Sequence, residues 1–139
     1  MKTMSNKQID RGFENLKKEF EIEVKLYQGT ATKEDVDFIE SLIVGELPAP
    51  RSQYLLGLSY YLGVGREYNP EKGNELFSEA KRRGNQIVLI SLSHAYAFIG
   101  DEYADDSIWC LEKAAKLGSK FAKGMIEEMK RYPFKFPEA

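Results

Sequence analysis

Apolar residues recur at steps of three and four along most of this chain, which is the spacing of amphipathic helices. The pattern predicts a first helix over residues 5–28. Its apolar stripe consists of Ile9, Phe13, Leu16, Phe20, Val24 and Tyr27. Because this spacing continues to the C-terminal region, we predict a chain that is helical throughout.

Capping residues predict where several helices begin and end. Thr32 and Asp35 have the spacing of a capping box, so a second helix begins after Thr32. The prolines within residues 47–50 end that helix, because proline cannot continue one. Asn69 and Pro70 predict another helix start, since asparagine caps free N–H groups and proline suits the first turn. The buried stripe of the second helix is predicted to be Val36, Ile39, Leu42 and Ile43.

Residues 52–84 and 86–118 are two copies of one unit, and a shift of 34 residues superimposes them. The shift aligns Leu58 with Leu92, Phe77 with Leu111, Ala80 with Ala114 and Gly84 with Gly118. A period of this size is typical of helical solenoids, which more often bind partners than catalyse reactions.

Each copy is predicted to contain two helices, at about 51–62 and 70–83 in the first and about 86–98 and 105–117 in the second. The first helix of each copy is apolar on nearly every side, so we expect it to be sandwiched between neighbours. Gly63 and Gly65 are expected to supply backbone angles that a side chain would oppose. Gly84 is expected to be a left-handed helix stop.

The flanking segments complete the predicted arrangement. Residues 119–131 form a capping helix, with Phe121, Met125 and Met129 on its apolar side. Prolines at 133 and 137 exclude a helix in the tail. The tail's aromatic residues either fold over the last helix or reach a partner or a second copy of the chain. They are Tyr132, Phe134 and Phe136.

The length of 139 residues suits one domain with a real core. We therefore predict a single domain over residues 1–139. Its parts are a degenerate N-terminal helix pair (1–50), two repeats (51–84 and 85–118), the capping helix (119–131) and the tail (132–139).

The first copy resembles the Sel-like repeat family, a relative of the tetratricopeptide repeats. The matching residues are Leu56-Gly57-Leu58-Ser59-Tyr60, Gly63-x-Gly65, Asn69, Lys72, Gly73, Phe77, Ala80 and Gly84. In the second copy they are Leu92, Leu111, Lys113-Ala114-Ala115 and Gly118, whereas Ser91 replaces the helix glycine. The first copy departs from the family pattern at Arg66, Asn69 and Gly73, where the family usually has Val, Asp and Ala. The resemblance implies an all-α, right-handed superhelical solenoid of helix-turn-helix repeats, with about seven helices and a role in protein–protein scaffolding.

Charge and composition disfavour several classes of partner. Twenty Lys and Arg are balanced by 22 Asp and Glu, so no strong field attracts nucleic acid or an anionic membrane. The N-terminal segment lacks the apolar core of a signal peptide, and the single Cys110 fits a reducing compartment. We therefore expect a cytoplasmic protein. With one His and one Cys, neither a metal site nor another cofactor is expected.

The family motif consists of packing residues, so we expect specificity to reside where the chain departs from it. The candidate partner-binding residues are Tyr61, His94, Tyr96, Asp101, Glu102 and Asp105. Tyrosine is enriched at interface hot spots. Each candidate also has an alternative role, because the tyrosines can fill core gaps, the histidine can pack, and the acidic turn can cap a helix.

The sequence thus predicts a non-enzymatic protein-binding module. The chain is similar in size and layout to small members of such repeat families that inhibit toxins. The resemblance therefore implies, as the concrete form, a dedicated inhibitor, an immunity protein that neutralises a cognate toxin by direct binding. The alternative is an adaptor, scaffold or chaperone-like protein, and a homodimer remains open. An enzyme is disfavoured because no nucleophile–base pair is evident.

Overall fold

The computed structural model describes residues 6–45 and 49–131, which contain seven α-helices and no strand. The all-α class and the number of helices are therefore confirmed. A 3₁₀ turn, Asp101–Tyr103, precedes α6. The helices are α1 (Asn6–Gln28), α2 (Lys33–Ser41), α3 (Pro50–Leu62), α4 (Pro70–Arg83), α5 (Gln86–Ile99), α6 (Ala104–Lys116) and α7 (Lys120–Arg131). The predicted tail at 132–139, with Tyr132, Phe134 and Phe136, lies outside the described residues.

Apart from α1, which packs more on α3 than on α2, each helix packs chiefly on its neighbours along the chain. The two most extensive interfaces join α3 to α4 and α5 to α6, which are the two helix pairs of the predicted repeats. In addition, α3 contacts both α1 and α5, whereas α7 packs on α6. The core therefore lies between successive helix pairs.

Aligned positions of the two repeats are buried alike. Leu58 and Leu92 are both fully buried, and so are Ala80 and Ala114. Phe77 lies at the centre of the core with its whole side chain inaccessible. The 34-residue shift found in the sequence thus relates equivalent packing positions.

Close approach of α3 and α4 depends on two glycines. A Cβ atom at Gly57 would lie 2.7 Å from the Phe77 ring, and one at Gly73 would lie 2.8 Å from the Tyr61 ring. Most side chains of α3 are buried, as expected for a sandwiched helix. These glycines therefore set the distance at which the two helices pack.

Two of the predicted helix starts are confirmed. The Thr32 hydroxyl accepts a hydrogen bond from the Asp35 N–H (3.1 Å), and the Asp35 carboxylate accepts one from the Thr32 N–H (2.9 Å). This is the reciprocal arrangement of a capping box. The Asn69 side chain accepts from the Lys72 N–H at 3.2 Å.

The predicted left-handed stop at Gly84 is wrong. Gly84 has φ −72° and ψ 143°, which is extended backbone that any residue adopts. The extended residue leads directly to Asn85, whose side chain accepts from the Val88 N–H at 3.0 Å and caps α5. Glycine is required at this position for space, because a Cβ atom would lie 2.6 Å from the carbonyl oxygen of Ala80.

The α3–α4 turn holds α2 in place. Gly63 and Gly65 have φ values of 66° and 74°, as predicted. A Cβ atom at Gly65 would also collide with Val36 of α2. In the same turn, Arg66 donates to the carboxylates of Asp37 and Glu40, both at 2.7 Å. The departure from the family pattern at Arg66 thus has a structural partner in α2.

Helix α1 packs through a different face from the predicted apolar stripe. The apolar residues it buries are Ile22 and Leu26, and Glu19 is buried beside them in sequence. Phe13 and Phe20, by contrast, are at least half exposed. α2 and α3 contact α1, and the Ile22 side of the helix belongs to the shared core. The amphipathic stripe of α1 is therefore mostly a surface feature.

Candidate functional site

A groove of about 640 Å³ opens between α1, α5 and α7. α3 and α6 contribute residues to its floor. The apolar residues that line it include Val24, Ile90, Phe121, Met125 and Met129, of which the last three, all on α7, are called the apolar wall below. The polar residues that line it include Glu23, Tyr27, Tyr54, His94 and Ser107.

The side chains of the apolar wall are exposed to solvent. Phe121 is 60% accessible, and Met125 and Met129 are each 41% accessible. These three residues follow one another at steps of four and so lie on one face of α7. The helix packs on the core through Ala122 and Ile126 instead. The predicted apolar side of the capping helix thus faces the groove.

Two tyrosines and a carboxylate form a hydrogen-bonded chain at the groove floor. Tyr54 donates to Glu23 Oε2 at 2.6 Å, and the hydroxyls of Tyr54 and Tyr27 are 2.9 Å apart. Tyr54 has one hydrogen and gives it to Glu23, so Tyr27 is the donor to Tyr54. Burial raises the pKa of Tyr27 to about 12 and raises the pKa of Tyr54 further. Both hydroxyls therefore remain protonated at neutral pH.

Arg51 connects this chain to a second carboxylate. Its Nη2 donates to Glu23 Oε1 at 3.2 Å, and its Nε lies 3.7 Å from Glu19 Oε2. That Nε is buried and has no hydrogen-bond partner among the described residues, so charge alone links it to Glu19. Ser52 also donates to Glu19 at 2.9 Å, and the guanidinium lies over the Phe20 ring. Counted by formal charge, two carboxylates face one guanidinium, so the network is net negative.

His94 is the candidate residue that lines the groove. Its side chain is exposed on α5, and its ring centroid lies 5.2 Å from that of Tyr27 in an edge arrangement. Phe98 lies 4.9 Å from the same tyrosine. These three rings form an aromatic rim beside Glu23.

Tyr61 and Tyr96 lie in the core, which corrects the expectation that they contact a partner. Tyr96 is 1% accessible, and Tyr61 is also buried. Their rings lie 5.0 Å and 4.8 Å from Phe77, respectively. Burial raises the pKa of both hydroxyls. The alternative role, in which these tyrosines fill gaps between helices, describes their position.

The acidic turn is exposed but does not line the groove. Asp101 and Glu102 lie in the 3₁₀ turn, and Asp105 lies in the first turn of α6. Carboxylates in a first turn are stabilised by the helix dipole. The neighbouring Asp106 pairs with Lys81 at 3.3 Å. The structure therefore separates the acidic turn from His94.

Sequence reasoning missed Glu23 and Tyr54 as site residues and placed the methionines of α7 on the apolar side of a capping helix. Glu23 and Tyr54 lie on α1 and α3, so no local spacing relates them. The regular Phe121-Met125-Met129 stripe was visible in the sequence. The stripe is exposed because α7 packs on the core through the face of Ala122, which is its buried residue.

Among residues 6–45 and 49–131, no three His, Cys, Asp or Glu side chains are grouped so that they could hold a metal ion. In that same part of the chain, no helix combines the length and the apolar character needed to cross a membrane.

No protein-family model matches this chain, and no curated protein or solved structure matches it either. The resemblance to Sel-like repeats therefore depends on the residues that match the repeat pattern and on the 34-residue shift.

Proposed function

We propose that this protein is a non-enzymatic protein-binding module that accommodates a segment of a partner protein in the groove. The observation that carries the proposal is the apolar wall of Phe121, Met125 and Met129, which is exposed beside a polar floor. Contiguous exposed apolar surface rimmed by polar groups is typical of interaction sites.

The Sel-like solenoid is part of the same proposal. In such arrays, stacked helix pairs create an extended concave surface for partners. Three of the first helices of successive pairs, α1, α5 and α7, line the groove, and α3 lies between α1 and α5. The equal burial of aligned residues in the two repeats also supports this arrangement.

The groove chemistry supports a role in binding. Ser93 and Ser107 face each other with their hydroxyl oxygens 3.0 Å apart, and Ser107 donates to the Ser93 carbonyl at 2.8 Å. Cys110 is fully buried, and burial raises the pKa of its thiol to about 11. A buried, protonated thiol is a poor nucleophile.

In its finer form, the proposal is a dedicated inhibitor that binds one toxin tightly, as an immunity protein does. The hydrogen-bonded floor of Tyr27, Tyr54 and Glu23 supports this form, because acceptor oxygens held in fixed positions favour one partner. An adaptor that accepts several segments is the second candidate. The adjacent Met125 and Met129 favour it, since flexible methionines fit varied partners.

The test compares a groove variant with a matched surface variant. Met125→Glu places a charge in the apolar wall, and Val44→Glu places one on an exposed apolar residue elsewhere. Proteins retained by each immobilised variant are quantified by mass spectrometry, and thermal unfolding verifies that both variants are folded. We expect partners shared by wild type and Val44→Glu to be lost with Met125→Glu. Equal retention by both variants contradicts the proposal.

Calorimetry on the retained partners then separates the two candidate functions. A dedicated inhibitor gives one partner with nanomolar affinity, and co-expression rescues cells from that partner's toxicity. An adaptor gives several partners of weaker affinity that compete with one another.

A further inference from the structure

We propose that residues 132–137 of the same chain occupy the groove and compete there with the partner. That the segment occupies the groove is inferred from the groove and from the adjoining sequence. That it competes with a partner rests on the proposed function. The segment's position, its length and its chemistry each support occupancy.

The chain leaves the described structure at the groove. Met129 lines the groove, and α7 ends two residues later at Arg131. The segment 132–137 is therefore attached at the end of the apolar wall, and only a reversal of direction after Arg131 separates it from the groove.

The segment is long enough to cover the apolar wall. Phe121 and Met129 are eight residues apart on α7, so the wall extends roughly 12 Å along the helix. Six extended residues reach up to about 20 Å. A segment that reverses direction after Arg131 is therefore long enough to run back along the apolar wall of α7.

The segment also matches the groove chemically. Its sequence is Tyr-Pro-Phe-Lys-Phe-Pro, so aromatic residues alternate with Lys135 and the prolines. In an extended chain, alternate side chains point to opposite sides. The aromatic residues can thus face the apolar wall of α7 while Lys135 faces the α1 side of the groove.

Charge complementarity places the lysine on that side. The Glu19–Glu23–Arg51 network is net negative, and its Glu23 lines the groove. The aromatic ring of Tyr27 also lines this part of the groove, and an ammonium group is attracted to the face of such a ring. The Lys135 ammonium group therefore suits this end of the groove better than a neutral side chain would.

Self-occupancy has a measurable consequence for affinity. A segment tethered through a short connection has an effective concentration in the millimolar range. If the free segment binds with a dissociation constant near 100 μM, the tether weakens competing ligands about tenfold. The tail would therefore set a threshold that a partner must exceed.

The experiment uses the full chain with methyl-labelled methionine, observed by NMR. The release variant combines Phe134→Ser with Phe136→Ser, and a second variant is Lys135→Glu. Its matched control is Lys123→Glu, because Lys123 is exposed on α7 and does not line the groove. We expect both tail variants to shift the Met125 and Met129 methyl signals, and the control to leave them unchanged. Adding the synthetic peptide YPFKFP to the release variant should restore the wild-type positions.

Fluorescence polarisation with a labelled YPFKFP peptide gives the affinity. We expect the release variant to bind the peptide about tenfold more tightly than wild type, because its own tail no longer competes at a millimolar effective concentration. Unchanged methyl signals in both tail variants, or equal peptide affinity, would overturn the proposal. So would a dimer in sedimentation that dissociates in the release variant, because a second copy would then supply the segment.

The two proposals fail in different ways. If the tail variants change nothing but Met125→Glu loses the partners, occupancy is wrong and the binding function stands. If the tail variants shift the signals but Met125→Glu keeps every partner, occupancy stands and the proposed binding site is wrong.

Discussion

Replacement of Arg51 by methionine should destabilise the protein markedly. Methionine keeps most of the aliphatic packing of the side chain but removes its charge. Arg51 is the cation that faces Glu19 and Glu23, and all three side chains are less than one-fifth exposed. Without it, the two carboxylates remain in this poorly solvated site with no guanidinium beside them.

The burial of the three groups sets the magnitude. Removing one partner of a fully buried ion pair costs about 3–5 kcal/mol. Since these side chains keep some contact with water, we expect a loss of about 2–4 kcal/mol. For a domain of this size, each kcal/mol lowers the melting temperature by roughly 3–5 °C.

Urea denaturation followed by circular dichroism measures the loss. The matched control is Arg82→Met, which breaks an exposed pair with Glu79 at 2.7 Å. Arg82 is 63% exposed, so we expect that change to cost less than about 1 kcal/mol. Adding Glu19→Gln and Glu23→Gln to Arg51→Met should recover part of the stability, because it removes the unpaired charges.

Two results would refute this reasoning. One is a loss for Arg51→Met no larger than that for Arg82→Met. The other is a further loss on adding the two glutamine substitutions, which would mean that the carboxylates are not destabilised by losing the arginine.

Two other predictions concern packing and pH. Gly57→Ala should cost about 1–3 kcal/mol, because its Cβ atom would lie 2.7 Å from the Phe77 ring. At Gly124 an added Cβ atom would meet nothing within 4 Å, so Gly124→Ala should instead raise the free energy of unfolding by up to about 1 kcal/mol. Similar effects of the two substitutions in urea denaturation would contradict the packing argument. The hydrogen bond from the Thr32 backbone holds the pKa of Asp35 below its usual value. The stability that Asp35 contributes is therefore present above the unfolded pKa of about 3.9 and lost as pH falls through the lower folded pKa. The difference in unfolding free energy between wild type and Asp35→Asn should shrink below about pH 4, and a constant difference would exclude this linkage.

Local signals predicted most of the helical framework. Thr32 with Asp35, and Asn69 with Pro70, place helix starts through hydrogen bonds between residues close in sequence. The repeat likewise placed Phe77 in the core, because aligned positions of stacked units have similar neighbours. These features depend on short-range chemistry that the sequence displays directly.

The groove could not be predicted in the same way. The exposed stripe of α1 and its buried face are both apolar, so the face that packs was decided by contact with α2 and α3. The bond from Tyr54 to Glu23 joins different helices. Tyr96 departs from the repeat pattern, but its ring packs on Phe77 and carries no information about partners. Departure from a motif therefore marks either a surface or a repacked core, and burial distinguishes the two.

The position of α7 at the edge of the helix array has a consequence for folding. Its main interface is with α6, it buries Ala122 fully, and Gly124 in its middle lowers its helix propensity. Such a terminal helix can open locally at a lower free energy than the whole domain. Since α7 supplies one wall of the groove, hydrogen exchange there should report how often the protein lacks a competent binding surface. Heating would then abolish recognition before the remaining helices melt.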